Sequence, residues 1–249
     1  MRTFGSLLVR GLIVGLFAGL LAGTFAYVMG ESRIDAAIAI EEANAGAHTH
    51  DQGGEHEHAA EEEPLVSRTG QKAGLFLATG LSGVALGGIF AVGYTLLRRK
   101  LRTGNDAYAA LGLAAAGFTG IILVPFLKYP PNPPGVGDPE TVTLRTVTYL
   151  LTIVIGLLAV WAGVALSRWA ARYGDVARLA GGVAGFVVTV AAAYLILPQI
   201  NEVPDTFPAT LLWQFRFASL GTQATLWLLL GFGYAATVAR RPSEQKVSV

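Results

Sequence analysis

The chain has 249 residues, of which 53% are apolar and only 14% charged, and its mean hydropathy is +0.51. A soluble globular domain carries roughly 25% charged residues, so this composition excludes one and calls for a chain that crosses a membrane several times. The net charge of +1 is spread over short basic clusters between apolar runs, which leaves no continuous basic face for a nucleic acid.

A helix rising about 1.5 Å per residue needs about 20 apolar residues to cross a hydrocarbon core of roughly 30 Å. Six charge-free stretches meet or approach that length: Gly11 to Gly30, Ala73 to Leu97, Ala107 to Leu127, Thr146 to Ser167, Leu179 to Leu197 and Phe217 to Ala239. Transmembrane strands would alternate every second residue over about ten positions, and these stretches do not. The expected fold class is therefore all-α, a polytopic membrane helix bundle of six transmembrane helices forming one domain over residues 1–249.

In the first stretch Gly11, Gly15, Gly19 and Gly23 recur at every fourth position. That spacing lays a smooth ridge along one helix face, on which another helix can approach closely. Gly83 with Gly87 repeats the device in the second stretch, and Gly112, Ala116 and Gly120 in the third. Arg2 and Arg10 before an apolar run ending in Ala22 to Ala26 also resemble a secretory signal; its removal would leave five spans.

Lysine and arginine set the orientation. The N-terminus, the second and fourth connections and the C-terminal tail hold twelve of the eighteen. The positive-inside rule then places both termini in the cytoplasm and the first, third and fifth connections outside.

The first connection, residues 31–69, is the one long connection. It carries ten of the seventeen carboxylates and all four histidines, His48, His50, His56 and His58, which fall within eleven residues. It is short of large apolar groups, so its middle is expected to be disordered without metal, while Arg33 to Glu42 is expected to prolong the first helix beyond the membrane. Neutral imidazole and carboxylate are ligands for borderline divalent metals. Two His-x-His pairs bridged by Gly53 and Gly54 can close on one ion, with Asp51, Glu55 or Glu57 completing the shell. With no cysteine, and Met1 and Met29 as the only methionines, soft ions such as Cu(I) lack their usual ligands. Such an open site follows the general affinity order and binds copper(II) and nickel above cobalt, so loop affinity alone does not name the cargo.

The third connection, Lys128-Tyr-Pro-Pro-Asn-Pro-Pro-Gly-Val-Gly-Asp-Pro-Glu140, cannot be helical through its prolines. Asp138-Pro139 is a helix-start signature, with Asp138 as the cap and Pro139 at the first helical position. The fifth connection is alike: Pro198 to Pro208 is acidic and proline-broken, and each connection leads into a helix with one arginine near its start, Arg145 and Arg216. Lys128, Arg145 and Arg216 thus sit near Asp138, Glu140, Glu202 and Asp205 at the outer boundary. They either anchor the loops through ion pairs or mark a path, as ionisable groups at membrane depth do. Arg216, Ser219 and Gln223 share one helix face at i, i+3 and i+7. That polar stripe is the candidate path lining, with Glu140, Arg145, Glu202 and Asp205 at its mouth. Fixed cations repel a bare metal ion unless the carboxylates neutralise them, which leaves an anionic cargo open.

The segments KYPPNPPGVG (Lys128 to Gly137) and EVPDTFPATLLWQFRFAS (Glu202 to Ser219) closely resemble the predicted cobalt transporter family CbtA. The likeness covers nearly the whole chain, including a histidine-bearing acidic loop after the first span. It implies a multi-pass protein of the bacterial cytoplasmic (inner) membrane for cobalt uptake, linked to cobalamin metabolism. It also implies that the chain works with a second, small, one-span, histidine-bearing protein. The family is described with five spans, against the six counted here, and the resemblance fixes no functional residues.

Together these features predict a permease subunit for a divalent cation, with Co²⁺ as cargo (Ni²⁺ or Zn²⁺ as alternatives) and no tightly bound cofactor. A rival reading is a non-transporting metal-sensing or scaffold subunit. No phosphate-cradling G-x-x-x-x-G-K-[ST] is present, and the charge-free spans hold no carboxylate for a proton relay. Membrane potential could drive uptake: two charges moving down 100 mV release roughly 4.6 kcal/mol. An enzyme is not expected, because no nucleophile, base and orienter can be assembled when every histidine lies in one loop. A peptide covering Ala43 to Glu63 is expected to bind Co²⁺ or Ni²⁺ at neutral pH and to release it below about pH 6 as the imidazoles protonate. Calorimetry against a peptide with alanine for histidine checks this; equal heats would remove the imidazoles from the site.

Overall fold

The protein is described here from a computed structural model, which covers residues 3–49, 67–98, 100 and 104–239. Among these residues there is no strand, as expected where lipid cannot satisfy backbone groups and each span must close its own hydrogen bonds. In chain order the elements are α1 (Phe4–Thr49), α2 (Arg68–Leu97), α3 (Asp106–Gly117), a π turn (Phe118–Leu123), α4 (Val124–Lys128), a 3₁₀ turn (Pro139–Thr141), α5 (Val142–Ala170), a second 3₁₀ turn (Ala171–Tyr173), α6 (Asp175–Ile196) and α7 (Ala209–Val238). With α3, the π turn and α4 forming one rod, the described residues make six long helical rods.

Five rods are long and apolar enough to span a membrane: α1, α2, the α3–α4 rod, α5 with its flanking turns, and α6. Polar residues such as Gln214, Arg216, Gln223 and Thr225 dilute the apolarity of α7. Its packing nevertheless carries it along the same depth. Gly221 lies against Phe25, Gly233 against Val14, and Tyr234 donates to Leu7 O at 3.4 Å, while Arg10 donates to Thr237 O at the far end. α7 therefore runs antiparallel beside the apolar part of α1.

Two small-residue faces join α1 and α2. A Cβ added to Gly15 would lie 2.9 Å from Gly87 Cα, and one added to Gly83 would lie 2.8 Å from Gly19 Cα. A Cβ on Gly11 or Gly87 would run into the other's backbone or its immediate neighbours. The ridge read from the four glycine repeats is thus in direct backbone contact with the Gly83 and Gly87 face, and the two helices cross in antiparallel register. In the third rod the outcome differs: a Cβ on Gly112 would meet nothing within 4 Å, whereas one on Gly156 of α5 would lie 2.9 Å from Gly120 C. Gly112 belongs to an exposed face, and the contact face runs instead through Ala110, Ala114, Gly117 and Gly120. A similar close pair, Gly163 against Gly182 and Gly185, joins α5 to α6.

The core lies where α1, α2, α3 and α7 meet. Tyr94 and Tyr234 are fully buried there with ring centroids 5.2 Å apart, and Phe90 stacks edge-on to Tyr234 at the same distance. Their hydroxyls reach backbone carbonyls, Tyr94 to Asp106 O at 3.3 Å and Tyr234 to Leu7 O, as buried tyrosines require.

Pro125 accounts for the π turn. It has no N–H to donate to the carbonyl four residues earlier, and its ring clashes with that carbonyl. The preceding turn widens, and Val124 N bonds Thr119 O, five residues back.

At the first connection, 31–69, whose middle, residues 50–66, lies outside the described residues, α1 continues as helix through Arg33 to Glu42, as foreseen, and then on to Thr49. At about 1.5 Å per residue its 46 residues extend roughly 70 Å, more than twice the hydrocarbon thickness. The projecting part is strapped to the start of α2: Arg68 pairs with Glu31 at 2.7 Å and Asp35 at 2.6 Å, and Lys72 lies 3.7 Å from Asp35.

Gly87→Ala and Gly112→Ala separate these faces. The first is expected to destabilise the purified protein by about 1–3 kcal/mol through overpacking, while the second is neutral or slightly stabilising because alanine favours helix. Thermal unfolding in detergent reads both; equal effects would refute the backbone seam.

Candidate functional site

The third and fifth connections fold against each other over the ends of α4, α5 and α7. Tyr129, which ends α4, donates its hydroxyl to Pro198 O at 2.8 Å, and Lys128 Nζ donates to Tyr194 O at 3.0 Å while lying over both tyrosine rings. Lys128 thus caps α6 rather than pairing with a carboxylate. The chain then turns through Gly135 and Gly137, whose φ of +73° and +149° favour glycine. A Cβ on Gly137 would lie 2.7 Å from Arg145 Nη1 and 3.2 Å from Glu202 Oε2. Asp138 is the expected cap: its side chain accepts from Glu140 N at 2.9 Å, with Pro139 opening the 3₁₀ turn that leads into α5.

Glu202 is the centre of this network. Its side chain is only 8% exposed and pairs with Arg145 Nη1 at 3.0 Å. One oxygen also accepts from Asp138 N at 3.2 Å, and the other accepts from the Thr141 hydroxyl. The fifth connection is thereby bound to the third connection and to the start of α5 through one carboxylate. Arg216, about two turns into α7, donates Nε to Pro131 O at 3.3 Å and Nη2 to Asn132 Oδ1 at 3.0 Å, and it lies over the Trp213 ring.

Beneath these loops is a cavity of about 670 Å³. The structure brings Arg145, Glu202, Arg216, Ser219 and Gln223 together in its wall, so the stripe read at i, i+3 and i+7 on α7 faces one space. Glu140 and Asp205 are exposed on the connections and are not part of the wall. Sequence reasoning missed Tyr129, Asn132, Thr146, Tyr149 and Asn201, which also line it. Tyr149 was within reach, since it stands four residues after Arg145 on the same helix face. Ile122, from the π turn, also contributes to the wall.

The outer part of α1 passes beside this mouth. Gly135 of the third connection packs on the side chain of Glu41, 2.8 Å from a Cβ placed on it to the carboxyl carbon. His48 follows on the backbone of the last turns of α1. His50, Asp51, Glu55, His56, Glu57 and His58 lie outside the described residues. Among the described residues no group of three or more His, Cys, Asp or Glu side chains could hold a metal ion.

An all-helical bundle with a loop-capped cavity, part apolar and part polar, in the ends of its spans has the build of a polytopic membrane transport protein. The chain belongs to the CbtA family: residues 4–239 match the family described as "Probable cobalt transporter subunit (CbtA)". No curated protein and no solved structure matches it.

The Arg145 and Glu202 pair is expected to couple the two connections by about 1 kcal/mol or more, a modest figure because Arg145 is one-third exposed. A double-mutant cycle of Arg145→Met and Glu202→Gln on thermal stability measures it. Additive effects would reduce the pair to two independent surface groups.

Proposed function

We propose that this chain admits a divalent transition-metal ion, cobalt, from outside the cytoplasmic membrane of a bacterium to the cytoplasm. The observation that carries the proposal is the contact between Glu41 and Gly135. It brings the helix that leads to the proposed metal-collecting residues against the connection that roofs the cavity. In this reading His48, His50, His56 and His58, with Asp51, Glu55 or Glu57, collect the ion, and the cavity walled by Arg145, Glu202, Arg216, Ser219 and Gln223 receives it. Glu140 and Asp205, at the rim, add negative potential outside the mouth. The twelve basic residues of the N-terminus, even connections and C-terminal tail favour the orientation with both termini in the cytoplasm.

The reading gives the chain no enzymatic step. Its proposed partner is a small one-span, histidine-bearing protein, and nickel or zinc are the competing cargoes. The rival, a sensing or scaffold role in which no ion moves, shares the collecting segment and differs in uptake alone.

Cells supplied with the full chain and its one-span partner are expected to accumulate labelled cobalt above control cells. Removing residues 43–63 is expected to raise the half-saturating cobalt concentration at least about tenfold while leaving the maximal rate, because the segment acts by local concentration. Accumulation no greater than in controls would overturn the permease reading in favour of the scaffold.

A further inference from the structure

The charge inside the cavity does not suit a bare dication. Among the described residues its charged wall is Arg145, Arg216 and Glu202, two guanidinium groups against one carboxylate. The carboxylate is already taken: Glu202 accepts from Arg145, Asp138 N and Thr141, so it has little left for an ion. Asp138 caps its own turn, and Lys128 is spent on Tyr194 O. The remaining polar groups are hydroxyls and amides, among them Ser219 and Gln223, whose side chains hydrogen-bond no other described residue. Of the five N–H donors of Arg216, one on Nε and one on Nη2 serve the third connection, which leaves three, the Nη1 pair among them, for a ligand.

Size points the same way. Six waters around an ion occupy roughly 180 Å³ at about 30 Å³ each, and the cavity holds about 670 Å³. That is the scale of an organic ligand site, part apolar with a few convergent polar groups. A guanidinium with free donors, beside amide and hydroxyl groups, recognises carboxylate oxygens.

We infer that the cavity binds the metal as an anionic complex with a multidentate organic carboxylate, docked by Arg216 and Gln223, and not as the free dication. This rests on the permease reading and specifies the form in which its cargo arrives. The site is a docking site at the mouth, ahead of the step on which the membrane potential acts.

The test uses the full chain in phosphatidylcholine nanodiscs, with His48→Ala, His50→Ala, His56→Ala and His58→Ala combined to silence the collecting segment. It is titrated with cobalt premixed with excess citrate, whose complex carries net negative charge, and with cobalt chloride alone. The complex is expected to bind and the free ion to show at least about tenfold weaker binding. Arg216→Gln is expected to weaken the complex about tenfold or more, the scale of a charge-assisted hydrogen bond. Because Arg216 also ties down Pro131 and Asn132, Gln223→Leu is the second variant, with an expected loss of about fivefold. Equal binding of complex and free ion, or no loss in either variant, would overturn the inference. So would failure of the complex to bind together with a phospholipid retained by the native chain and shed by Arg216→Gln, which would assign the cavity to a lipid phosphate. The permease reading fails separately: cells that accumulate cobalt in neither form refute it, whereas cells that take up free cobalt as fast as the citrate complex refute only this inference.

Discussion

Direct backbone contact between α1 and α2 is the constraint from which the rest of the arrangement follows. Lipid tails are as apolar as leucine, so two spans gain little by hiding side chains from lipid and must gain by close approach instead. Gly11, Gly15 and Gly19 on one helix, and Gly83 and Gly87 on the other, remove the atoms that would hold the axes apart. Once α1 is fixed to α2, its other side receives α7 along the whole apolar depth. Tyr94 of α2 and Tyr234 of α7 then close the core between them. The same fixation aims the long extension of α1. Arg68 and Lys72 grip Glu31 and Asp35 just beyond the apolar stretch, so the rod leaves the bundle in one direction and lies against Gly135.

The polar mouth obeys a different rule. Charges close to a low-dielectric region persist when each finds partners, and here the partners come from different connections. Glu202 joins the fifth connection to Asp138, Thr141 and Arg145; Arg216 joins α7 to Pro131 and Asn132. The two proline-broken segments become one roof because neither can satisfy its own backbone as helix. Anchoring and lining are therefore not alternatives for Arg145 and Arg216. The same side chains that tie the loops also form the wall of the cavity below them.

Much of this was legible in the residues themselves. Lengths of charge-free sequence gave the six rods, because crossing a fixed hydrocarbon thickness demands a fixed length of helix. The glycine ridge of α1, the Asp138 cap and the shared face of Arg216, Ser219 and Gln223 were also readable, since each depends on residues a few positions apart. The role of Gly112 was misread: the four-residue spacing marks a smooth face but not which neighbour, if any, will use it. The helical course of α1 to Thr49 was only half foreseen, because an acidic, alanine-rich segment reads as solvated chain until ion pairs to α2 support it. The π turn was missed by treating Ala107 to Leu127 as an unbroken span in which Pro125 had no consequence.

By itself, then, the sequence determined what local periodicity and composition determine: an all-helical membrane chain, its small-residue ridge, its caps, and the clustering of imidazole and carboxylate after the first span. The tertiary structure alone decided which charges neutralise one another and which remain to face the cavity. Glu202 and Arg145 are 57 residues apart in sequence, and electrostatic pairing depends on distance in space. No pattern along the chain could show that the carboxylate of Glu202 in the wall is already occupied, or that Glu41 would come to rest on Gly135.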